Sequence, residues 1–129
     1  MRRFLLPFLI IALLAACSSD KSPEALAMKA AQQSYSALVK GDYEKFLEAR
    51  VGMESIPDSY REELLTSYKQ FMSQQNHEHG GIDEVLALRA HPDSVLHIMQ
   101  VYLSLHFNDS TIEEIVVPMV EHNGQWKMK

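Results

Sequence analysis

Apolar residues follow three regimes along the chain. From Phe4 to Ala16 they form one nearly unbroken run, from about residue 23 to 75 they recur every three or four positions, and beyond Gly81 they recur every second position. The middle regime predicts helices and the last predicts strands. Ser22, Pro23 and Glu24 read as N-cap, first helical residue and first-turn acid. Leu26, Ala27, Ala30, Ala31, Tyr35, Leu38 and Val39 then make one apolar stripe that stops at Lys40-Gly41. Asp42 is placed to cap a short second helix, with Tyr43, Phe46 and Leu47 on one face and Gly52 and Pro57 in the loop after it. Ser59 and Glu62 have capping-box spacing and predict the start of a third helix carrying Tyr60, Leu64, Tyr68, Phe71, Met72 and Gln75.

The period-two region divides into four strands. Residues 82–90 form the first, closed by the turn formers His91, Pro92 and Asp93; residues 94–107 form a long second strand, and Asn108 to Ser110 make a turn. Alternation puts Val95, His97, Met99, Val101, Leu103, Leu105 and Phe107 on one face, with Leu96, Ile98, Gln100, Tyr102, Ser104 and His106 on the other. Residues 111–121 are the third strand, where Pro118 asks for an edge or a bulge. Asn123-Gly124 predicts a tight hairpin into the closing QWKMK strand. Helices first and an antiparallel sheet afterwards make the fold class α+β.

Charge and the N-terminal run add a location. Arg2 and Arg3 precede the apolar run, which is shorter than a spanning helix and has the layout of a secretory signal. It closes on Leu14, Ala15, Ala16 and Cys17, which resembles the lipobox of bacterial lipoproteins, where the cysteine is diacylated and becomes the first mature residue. The expected organisation is a signal peptide at 1–16, a lipidated Cys17 with a polar tether to residue 22, and one domain at 23–129. Cys17 is the single cysteine, so no disulfide framework exists. The formal net charge of −5 becomes more negative once Arg2 and Arg3 are removed, which disfavours nucleic acid and anionic headgroups as partners. Membrane attachment is therefore expected through the acyl chains, in the bacterial cell envelope.

The segments YSALVKGDYEKF at 35–46 and MVEHNGQWKMK at 119–129, within this order of helices and strands, resemble small lipoproteins of the nuclear transport factor 2-like (NTF2-like, also SnoaL-like or cystatin-like) superfamily, of the domain-of-unknown-function type. The resemblance covers about residues 23–129 and rests on architecture, the KGD break and the closing hairpin. It implies a curved sheet of about four strands wrapped round the helices as a cone, with a pocket between the concave sheet face and the first helix. It transfers no catalytic residue and no cofactor.

Three residues are candidates for such a pocket. His97 is the strongly polar member of its strand face, either a base or ligand donor or a hydrogen-bonded core histidine. Tyr35 and Tyr68 lie on helical stripes and either direct hydroxyls into one cavity or fill the core. Leu96, Ile98 and Tyr102 are interface candidates, for a second copy or another envelope protein, or are covered by the chain itself. The stretch NHEHGG at 76–81 holds two histidines but no zinc-site spacing, and reads as a helix stop. The expected function is a membrane-anchored binding or interaction module for a small hydrophobic ligand or an envelope protein. The alternatives are a pocket enzyme of isomerase, dehydratase or hydrolase type and an inhibitor or structural partner with a filled cavity.

Overall fold

Ser22 opens the first helix as its position predicts. Its side chain accepts the Ala25 N–H at 3.2 Å, Pro23 follows as the first helical residue, and α1 runs Pro23–Val39. The computed structural model describes residues 21–129, so the expected signal peptide and the expected lipidation at Cys17 lie outside the described residues. Asp42 caps α2 (Tyr43–Glu48) through the Lys45 N–H, and after a single 3-10 turn at Met53–Ser55 comes α3 (Asp58–His79). The strands are β1 (Ile82–Asp93), β2 (Ile98–Phe107), β3 (Ile112–His122) and β4 (Gln125–Met128), paired antiparallel in the order β1-β2-β3-β4.

The core lies between α1 and one face of this sheet. Met99, Val101, Leu103, Leu105 and Phe107 of β2 are all buried, as the period-two pattern requires, and meet Ala27, Ala31 and Leu38 of α1. Small side chains dominate the buried side of α1, where Ala27 and Ala31 are fully enclosed, whereas Leu26 of the expected stripe is exposed. Ser34 lies on the same buried face and donates its hydroxyl to the Ala30 carbonyl at 2.8 Å.

Four expectations are corrected. Helix α3 begins at Asp58, so Ser59 is inside it and no side chain caps its start; the expected capping box does not form. Its buried residues are Leu65 and Met72, while Tyr60 and Phe71 are exposed. Strand β1 continues through His91 and Pro92 to Asp93, which pairs with Ile98, leaving residues 94–97 as the turn. The turn forms there because one carboxylate oxygen of Asp93 accepts the N–H groups of both Val95 and Leu96, each at 3.0 Å. Pro92 is tolerated because β1 is an edge strand.

Pro118 sits in an internal strand, opposite Gln100, with neither an edge nor a register shift there. Its carbonyl accepts the Lys129 N–H at 3.0 Å. The missing N–H therefore also faces the β4 side, and the β2–β3 ladder is not interrupted. A parallel bridge between Arg50 and Met128, with Met128 N–H donating to Ala49 O and Val51 N–H to Met128 O, ties the end of α2 to β4.

The NHEHGG stretch ends α3. Gly80 and Gly81 take φ of +73° and +94°, and their N–H groups satisfy the Asn76 and Gln75 carbonyls. The β2–β3 turn closes over this end. Asn108 bonds to Gly81 O through its backbone and to Gly80 O through its side chain, and Asp109 N–H donates to His79 O.

Candidate functional site

Two of the three pocket candidates line one cavity. Tyr35 of α1 and Tyr68 of α3 flank Phe46 of α2, each edge-on to its ring, with centroids 5.2 Å and 4.9 Å apart. Together with Arg50, Val116, Val117, Pro118, Met128 and Lys129 they enclose about 190 Å³. The helices supply the aromatic wall, and the middle of β3 with the end of β4 the aliphatic one.

Two polar side chains of this cavity, Tyr68 and Arg50, stand out among the described residues. The Tyr68 hydroxyl is buried and has no hydrogen-bond partner among the described residues. Buried polar groups in folded proteins are nearly always paired, so this hydroxyl is an exception among the described residues. Arg50, half-buried at the mouth, makes no ion pair among the described residues. Burial pushes the Tyr35 phenol up from its ordinary value, the neighbouring Tyr68 adds to the rise, and Arg50 opposes it. Tyr35 thus remains a protonated donor throughout the neutral range. Sequence reasoning missed Arg50. Its placement follows from the bridge to Met128, a contact across most of the domain that no local pattern announces.

His97 is not at this site. It occupies the β1–β2 turn, exposed, with a left-handed φ of +55°, so its expected direction into the core is corrected. Leu96 shares that turn and is 55% exposed, which separates it from Ile98 and Tyr102 on the sheet. Tyr102 is covered by the chain itself: the Arg89 guanidinium lies 4.1 Å over its ring, held by Glu114, and His91 meets the ring edge-on. The interface candidates therefore do not form one continuous apolar patch.

His77 and His79 lie two residues apart on α3, a spacing that directs them to different sides of a helix. His79 is engaged through Nδ1 with the Asp109 carboxylate at 2.9 Å and packs on the Phe107 ring. Among the described residues no group of three or more His, Cys, Asp or Glu is placed to hold a metal ion. A larger open groove of about 910 Å³ runs along α1 from Ala25 to Lys40, lined largely by lysines, glutamines and small residues. It holds no orphaned buried group, so the smaller aromatic cavity carries the chemistry.

A solved structure settles the architecture. An NTF2-like protein from Campylobacter jejuni, whose name proposes a transpeptidase, superimposes with a TM-score of 0.61 over 78% of this chain and 94% of that one, at 10% identity. The chain has an NTF2-like fold. At that identity the likeness concerns the fold alone. No family model matches the chain, and no curated protein matches it. In this NTF2-like domain the cavity is built from all three helices and the last two strands, and no helix among the described residues is long and apolar enough to cross a membrane.

Proposed function

We propose that the chain is a lipid-anchored binding module of the bacterial cell envelope, with the Tyr35–Phe46–Tyr68 cavity as its ligand site. The observation that carries the binding role is the buried Tyr68 hydroxyl left unpaired in a cavity bordered by an unpaired arginine. Leaving such a group unmet costs about 1–3 kcal/mol, a penalty that a ligand relieves on binding. Support for the anchor is in the chain itself: two arginines, an apolar run, and Cys17 at its end, followed by the polar SSDKS tether.

The cavity favours binding over catalysis. Acyl transfer, which the name of the Campylobacter protein proposes for that protein, needs a nucleophile beside a base. The lining here includes no Cys, Ser or His, and His97 is in the exposed turn. A filled scaffold is also disfavoured, since a buried hydroxyl left without a partner is a poor structural element.

Labelling with an alkyne fatty acid tests the anchor. The wild-type chain should carry label and remain with membranes, and Cys17→Ala should lose both; membrane retention by the unlabelled variant would refute the reading.

A further inference from the structure

We propose that the Tyr35–Tyr68–Arg50 cavity binds a small organic carboxylate, its charged end held by Arg50 and the two phenol hydroxyls and its apolar body resting on Phe46, Val117 and Met128. The inference rests on the reading of this cavity as the ligand site and adds the class of ligand.

The first argument is the balance of donors and acceptors. A guanidinium offers only donors, each phenol offers one, and an ionised carboxylate offers only acceptor positions. Among the described residues the lining contains no Asp or Glu side chain, and no ion pair engages the Arg50 guanidinium. Arg50 is free of ion pairs and Tyr68 Oη is free of hydrogen bonds among the described residues, which leaves both available to a guest. Planar guanidinium meets planar carboxylate in a two-pronged contact stronger than a neutral hydrogen bond.

The second argument is size and polarity. About 190 Å³ is below the range of drug-sized sites, so the guest is small. Phe46, Val116, Val117, Pro118 and Met128 supply apolar wall, which a bare inorganic anion would leave unused. The Tyr35 phenol, held in its protonated form by burial, stays a donor while the anion is bound.

The test uses the full-length chain in non-ionic detergent and compares 4-fluorobenzoate with its neutral isostere 4-fluorobenzamide by fluorine NMR, with inorganic phosphate as a third probe. Saturable benzoate binding about tenfold tighter than the amide is expected, the difference a charge-assisted contact makes. Arg50→Gln should remove that preference, and Tyr68→Phe should weaken benzoate while raising the melting temperature of the ligand-free protein. Equal binding of benzoate and benzamide would overturn the carboxylate assignment and leave the cavity as a binding site. Phosphate binding as tight as benzoate would overturn the role given to the apolar wall. If benzoate, benzamide and phosphate all fail to bind, both this proposal and the ligand site itself fall.

Discussion

At the scale of single residues, the two most informative side chains differ in what surrounds their polar atoms. Tyr68 keeps a buried hydroxyl with no partner, so Tyr68→Phe removes a desolvated group without changing the ring that packs on Phe46. The variant should be more stable by about 1 kcal/mol, read as a higher melting temperature, while losing whatever the hydroxyl binds. A fall in melting temperature would mean that the hydroxyl is satisfied in the folded chain. Asp109 is the opposite case. Hydrogen bonds from the side chain and backbone of Thr111, then from His79, hold its carboxyl down from 3.8 to about 2. Because the folded-state value is lowered, its contribution is present above about 3.8 and is lost as the pH falls through about 2. Asp109→Asn should therefore be less stable than wild type near neutrality, with the gap closing across that acid window in thermal melts. The pair is exposed, so the gap should be small.

At the scale of elements, α1 is set by the size of its buried residues. Ala27 and Ala31 have no exposed surface and belong to the same buried cluster as Val101 and Leu103 of β2. Ala31→Leu has nowhere to place three more carbons and should cost about 1–3 kcal/mol in a denaturant midpoint measurement, although leucine ranks close behind alanine as a helix former. The elements that the sequence announces are those whose signals are local: Ser22-Pro23 at the start of α1, Lys40-Gly41-Asp42 between two helices, and Asn123-Gly124 between β3 and β4. The β1–β2 turn was not legible. Val95 and Leu96 continue the apolar alternation of β2, and only the Asp93 carboxylate gathering their N–H groups reveals a turn. That four-residue shift removes His97 from the core row, while Met99 to Phe107 keep theirs. The candidate site was half legible for a similar reason. Tyr35 and Tyr68 are visible as aromatic members of helical stripes, whereas Arg50 gains its position through Met128, 78 residues away along the chain.

At the scale of the whole molecule, burial is uneven, and the cavity spans the uneven boundary. Six of the ten residues of β2 are buried and five of the 17 in α1, against two of the 22 in α3. Between the Arg61 pairs to Glu44 and Glu48 near its start and the β2–β3 turn at Gly80-Gly81, helix α3 buries only Leu65 and Met72 and packs Tyr68 on Phe46. Few buried apolar contacts imply a low free energy of local opening, so the α3 amides should exchange with solvent as a group, faster than those of β2 and α1. Equal protection across α3 and β2 would show instead that the helix belongs to one cooperative unit with the sheet. The same measurement bears on function. Tyr68 comes from α3, whereas Tyr35, Phe46 and Arg50 belong to the rest of the domain, so opening α3 removes one wall of the cavity. A guest that needs all four residues binds only the closed form and must stabilise it by mass action, by about 2.7 kcal/mol at a hundredfold excess over its dissociation constant. Saturating 4-fluorobenzoate should therefore slow exchange in α3 by about the same factor as exchange through global unfolding in β2, since both openings destroy the site. Slowing in β2 with α3 unchanged would place the guest away from the Tyr68 wall.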